Sequence, residues 1–160
     1  MTLPKEKNMN LFVSHYHKDL EHLPKLKKLL SNKGYNIKDS SMDESEKNNA
    51  KNPDYIKSIL RPKIKWAGKM IVLIGPETHQ RNWVDWEIDY AASFGNKKII
   101  GVYINGASDS DIPESLNKFG DAVVGWDSDK LIDALNGEPV WLDNEGQPRS
   151  PFWSDSRSNC

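Results

Sequence analysis

Apolar residues fall in short unbroken runs separated by amphipathic stretches. Asn10-Leu11-Phe12-Val13-Ser14 is rich in strand formers and predicts the first strand. A leucine stripe at Leu20, Leu23, Leu26, Leu29 and Leu30 has helical spacing and ends at Gly34, a residue suited to closing a helix. Tyr35-Asn36-Ile37-Lys38-Asp39 predicts a second, weaker strand. From Ser40 to Pro53 only Met42 and Ala50 are apolar, and the stretch reads as a long loop of the kind that serves as a binding flap. Tyr55, Ile56, Ile59 and Leu60 predict a second helix, which Pro62 must kink or restart. Lys69-Met70-Ile71-Val72-Leu73-Ile74 is the strongest strand in the chain, stopped by Gly75-Pro76. A third helix runs from about Asn82 to Phe94, closed by Gly95, and Lys98 to Ile104 reads as another buried strand. Pro113 can open a short helix. Asp121 to Gly125 is the last strand, and Asp127 or Ser128 caps a helix carrying Leu131, Ile132 and Leu135.

Strand and helix thus alternate five times, and the strands are continuously apolar, as expected when helices cover both faces of a sheet. The predicted architecture is an α/β doubly wound sheet of about five mostly parallel strands. Residues 1–136 form one domain; 137–160, with Trp141, Phe152, Trp153 and three prolines, form an appended C-terminal tail. Ligands of such folds sit beyond the carboxyl ends of the strands. Here those ends are Ser14-His15-Tyr16, Asp39-Ser40-Ser41, Gly75-Pro76-Glu77 and Asn105-Gly106.

The third helix carries one residue out of place. At ~100° per residue, Trp83, Trp86, Tyr90, Ala91 and Phe94 share an apolar arc with Val84 and Ile88 at its edge. Asp85, Asp89 and Ser93 lie opposite. Glu87 sits near the middle of the apolar arc. A carboxylate there either lines a cleft, where desolvation stores chemical potential, or is held near the helix N-terminus by the dipole and a loop hydrogen bond. His15 and His17, after the first strand, are the only imidazoles that suggest a metal, and no further spaced ligand joins them, so no metal site is expected. Trp66 and Trp126, beside element ends, read as core plugs.

Charge narrows the function. The 22 basic and 23 acidic side chains nearly cancel, leaving no electrostatic footprint for nucleic acid or an anionic membrane. No apolar run approaches a membrane span, and Met1 to Lys7 lacks the apolar core of a signal peptide, so a cytoplasmic protein is expected. Cys160 is the only cysteine. The chain has no G-x-G-x-x-G after a strand, no P-loop and no nucleophile elbow.

Five boxes in order resemble a TIR domain, most closely the bacterial TIR-like branch of the Thoeris anti-phage system. They are Leu11-Phe12-Val13-Ser14-His15 with Lys18-Asp19 following, Ile71 to Ile74, Asn82-Trp83-Val84-Asp85-Trp86-Glu87-Ile88, Lys98 to Val102, and Val123-Val124-Gly125-Trp126. The resemblance spans Asn10 to about Asn136; the W-x-x-x-E spacing and the V-G-W ending are its most specific parts. The acidic-proline-glycine second box of animal members is absent, and Val84 stands where W-C-x-x-E has cysteine.

The resemblance implies a flavodoxin-like TIR fold and, in enzymatic members, cleavage of the nicotinamide–ribose bond of NAD. NAD would be the substrate, with no permanently bound cofactor. The product would be a cyclic or conjugated ADP-ribose signal that switches on a separate defence effector, and the sequence does not choose between these and linear ADP-ribose. The family's catalytic glutamate falls on Glu87, the residue that helix periodicity also isolates. Ser14, His15 and Tyr16 would serve the ribose and phosphates, Ser40 and Ser41 the covering flap, and Trp83 and Trp86 would be candidates for ring stacking. The competing expectations are a non-catalytic TIR module working by self-association or partner docking, and a small-ligand receptor of flavodoxin-like fold, with flavin as one such ligand.

Overall fold

The computed structural model describes residues 7–16, 19, 21–39, 52–78, 82–104 and 106–151. Five strands, β1 (Lys7–Ser14), β2 (Tyr35–Asp39), β3 (Lys69–Ile74), β4 (Lys98–Tyr103) and β5 (Ala122–Val124), form one sheet in the order β2-β1-β3-β4-β5. Every neighbouring pair is parallel. The helices are α1 (His22–Ser31), α2 (Pro53–Trp66), α3 (Asn82–Ser93), α4 (Glu114–Phe119) and α5 (Ser128–Leu135). The fold is the predicted doubly wound α/β sheet.

The strands are apolar on both sides because each side meets a separate core layer. Leu11, Val13, Ile71, Leu73, Ile100 and Val102 pack with α1 and α5 through Leu26, Leu30, Leu131 and Leu135. Phe12, Met70, Val72, Ile74 and Ile99 pack with α2, α3 and α4 through Ile56, Leu60, Val84, Ile88 and Leu116. Successive strand residues point to opposite faces, so this alternation fixes which side of β1 each later residue serves.

Four details differ from expectation. β1 begins at Lys7 instead of Asn10, because Lys7 to Leu11 pair with β2 and the Asn36 side-chain amide donates to Asn8 Oδ1 at 3.1 Å. α2 runs unbroken through Pro62: the proline is exposed, while Ile56, Leu60 and Ile64 anchor the opposite face. Trp66, the last residue of α2, and Trp126, which follows β5, are 44% and 38% exposed and do not plug the core. The centre of the buried arc of α3 is Val84, Glu87, Ile88 and Ala91; the aromatic residues flank it.

Residues 137–151 fold onto the domain. Val123 N–H donates to Val140 C=O at 2.9 Å and Leu142 N–H to Val123 C=O at 3.0 Å, so the segment extends the sheet along the free edge of β5. Trp141 packs on the α2–α4 layer, and Arg149 reaches Asp109 at 3.3 Å. No helix among the described residues is long and apolar enough to cross a membrane.

Candidate functional site

The chain runs from β1 outward to β2 and then crosses to β3 on the other side of β1, so its direction of winding reverses between β1 and β3. The connections leaving these two strands go to opposite faces, α1 to one and α3 to the other. A crevice therefore opens beyond the carboxyl ends of β1 and β3, the position where folds of this kind bind ligands.

Glu87 is brought to that rim. Its carboxylate is 0% exposed, one turn along α3 from Trp83 and Ala91. The Ser14 hydroxyl, at the last residue of β1, donates to Glu87 Oε1 at 2.9 Å. Phe12 and Ser14 share a strand face, so the pleat that buries Phe12 in the α2–α4 layer aims Ser14 at α3. A buried carboxylate is tolerated only with hydrogen-bond donors, and Ser14 is one of them. On the far side of α3, Asp85 Oδ1 accepts from Ser115 N–H at 3.1 Å and ties α3 to the start of α4.

The other candidates are distributed differently. His15, 3% exposed, has the strand parity of Leu11 and Val13 and so belongs to the α1 side. Its Nδ1 lies 2.8 Å from Val13 C=O, and since a carbonyl only accepts, Nδ1 carries the proton. Tyr16 is buried at the start of the β1–α1 connection. Trp86 lies parallel to Tyr90 with centroids 5.5 Å apart, and Lys57 and Arg61 sit 5.5 and 5.9 Å from its ring centroid. Trp83 meets Trp86 edge-on at 6.0 Å, and Tyr90 meets Phe94 likewise at 5.2 Å. These rings form a ladder along the flank of α3. Ser40 and Ser41, expected in the flap, lie outside the described residues.

Sequence reasoning gave no role to Asp19, which the fold places at the same rim. It is 8% exposed, and Oδ2 has no hydrogen-bond partner among the described residues; neither does His15 Nε2. Burial raises its pKa; the imidazoles of His22 and His15 and a hydrogen bond from Thr78 oppose the shift, and Glu77 adds to it. A Cβ on Gly75, the residue after β3, would lie 2.8 Å from the Asp19 carboxyl carbon, and nearer still to Oδ2. Among the described residues no three His, Cys, Asp or Glu side chains are grouped to hold a metal ion.

Residues 12–109 match the family model of the TIR-like domain of Thoeris protein ThsB, a span that holds Ser14, Asp19, Gly75 and Glu87. No curated protein matches the chain by sequence. Among solved structures, a protein described as pilus assembly-related from Burkholderia pseudomallei shares the fold, with TM-score 0.52 and 13% identity over 85% of this chain and 92% of its own. A 2-deoxyribosyltransferase from Bacillus psychrosaccharolyticus has TM-score 0.49 and 14% identity over 71% and 84%. A CMP N-glycosidase from Clostridium botulinum has TM-score 0.45 and 19% identity over 72% and 86%.

Proposed function

The chain belongs to the family of TIR-like domains of Thoeris protein ThsB, and on that premise we propose that this defence protein is an enzyme that consumes NAD. It cleaves the nicotinamide–ribose bond and passes the ADP-ribosyl group to an acceptor. The product, a cyclic or conjugated ADP-ribose, switches on a separate effector protein. The observation that carries this reading is the Ser14–Glu87 pair, a fully buried carboxylate bonded to the end of β1 at the reversal point of the sheet.

The chemistry suits a single carboxylate. Nicotinamide leaves from a cationic ring as a neutral molecule, so no general acid has to protonate it. Positive charge develops on the ribose, and a carboxylate held beside it stabilises that charge or orients the ribose hydroxyls. In a site shielded from water this interaction is stronger than in solution. The Ser14 hydroxyl fixes one carboxylate oxygen, which sets the direction of the other. A cytoplasmic location belongs to the same proposal, because NAD and a diffusible product must share a compartment with the effector.

Incubation of the purified protein with NAD, followed by chromatography with mass detection, tests the reading. Release of nicotinamide with a partner product of ADP-ribosyl mass supports it, and the retention of that product identifies the acceptor. No nicotinamide at any protein concentration, with self-association in light scattering, would replace it by the assembly-module reading.

A further inference from the structure

The rim holds a second buried carboxylate whose surroundings are set by a missing side chain. Asp19 belongs to the β1–α1 connection, where its backbone N–H donates to Tyr16 C=O at 2.8 Å. Its carboxylate reaches across to the end of β3 and fits against the bare Cα of Gly75, at a distance no other residue type there would allow. Behind Gly75 the chain is closed into a turn: Gly75 N–H donates to Thr78 Oγ1 at 2.8 Å, and Thr78 N–H to Gly75 C=O at 3.2 Å. The two connections that flank the crevice therefore meet at one contact.

That contact is held against a stability penalty. One oxygen of Asp19 is buried without a hydrogen-bond partner among the described residues, and such a group costs free energy. The groups facing it are His15 at the end of β1, His22 in the first turn of α1, and Glu77 and Thr78 from the β3–α3 connection. A carboxyl whose pKa is raised by folding binds more protons folded than unfolded. Its ionisation therefore lowers stability as pH rises above the ordinary 3.8 and through the raised value. Burial thus works against the charged form of this carboxyl, so what the contact with Gly75 contributes lies in the placing of the two connections.

We infer that Asp19 is a positioning residue for the Glu87 site: wedged against Gly75, its carboxylate clasps the β1–α1 connection to the β3–α3 connection and so keeps Ser14 in register with Glu87. The inference rests on Glu87 being the carboxylate that acts on NAD. Asp19 itself touches no reacting atom; it acts through the alignment of β1 and α3.

The test compares the full-length protein with Asp19→Asn, which removes the attraction between the carboxylate and the imidazoles of His22 and His15 that draws it into place, and with Gly75→Ala, which pushes the carboxylate out from the other side. For Asp19→Asn, kcat for nicotinamide release is expected to fall about tenfold or more with KM within about threefold, as for a small misplacement of a catalytic group. Its melting temperature at neutral pH is expected to equal or exceed that of the unaltered protein, with a weaker decline as pH rises from about 4 to about 7. Melting temperature and kcat falling together, or kcat unchanged, would overturn the inference. Amide hydrogen exchange reads the clasp without turnover: the Asp19 amide should exchange faster in both variants, and unchanged exchange in both would also overturn it. Faster exchange in a protein that never releases nicotinamide would count against NAD as substrate and leave the clasp in place.

Discussion

Ser14 and Glu87 lie 73 residues apart in the chain and 2.9 Å apart in the fold, joined by a hydrogen bond from the Ser14 hydroxyl to Glu87 Oε1. Two simple periodicities produce that meeting. The twofold pleat of β1 turns Ser14 to the α2–α4 side, and the helical repeat of α3 turns Glu87 back toward the sheet.

Removing the donor alone should uncouple the pair. Ser14→Ala leaves Glu87 Oε1 without that buried donor, for a loss of about 1–3 kcal/mol in urea unfolding. Nicotinamide release should fall by about tenfold or more, because the carboxylate loses its fixed direction. Wild-type turnover in a folded Ser14→Ala protein would show that the bond is structural only.

The centre of β4 is sized by a glycine. A Cβ on Gly101 would come 2.9 Å from Ile74 Cδ1, 2.9 Å from Leu116 Cδ2 and 3.3 Å from Val123 Cγ2, all of them fully buried. Gly101→Ala should therefore cost about 1–3 kcal/mol by overpacking β4 against α4, and Gly101→Val should cost more. Equal unfolding midpoints for the two variants would contradict this.

Residues 137–151 are expected to protect the sheet. Ending the chain at residue 136 removes the backbone bonds from Val123 N–H to Val140 C=O and from Leu142 N–H to Val123 C=O, together with the Arg149–Asp109 pair, and bares the edge of β5. The truncated protein should melt at lower temperature and aggregate on concentration. Trp141→Ala should lower the melting temperature without aggregation, since the backbone pairing stays. An unchanged melting temperature in the truncation would mean that the segment contributes nothing to the fold.

Much of the architecture was legible because both faces of the sheet are buried: a run such as Met70 to Ile74 has no use outside a covered strand. The burial of Glu87 was legible because its position falls within the apolar arc of the helix. The arc's centre was misjudged for a physical reason. Trp86 and Tyr90 look like core by size, yet they stack on each other along the flank under Lys57 and Arg61, and the smaller Val84 and Ile88 fill the interior. Trp66 and Trp126 misled in the same way, as large rings at or just beyond element ends that stay partly in solvent. The partnership of Asp19 with Gly75 could not be read from sequence, because it depends on two connections meeting after the strands have paired.

The most direct measurement is the rate of nicotinamide release from NAD by the full-length protein beside Glu87→Gln, with circular dichroism confirming that the variant is folded. The glutamine keeps the volume and a hydrogen-bonding oxygen while removing the charge. The expected result is a loss of about two to three decades in rate with the fold intact. A folded Glu87→Gln protein that releases nicotinamide as fast as the unaltered one would contradict the assignment of Glu87 as the catalytic carboxylate.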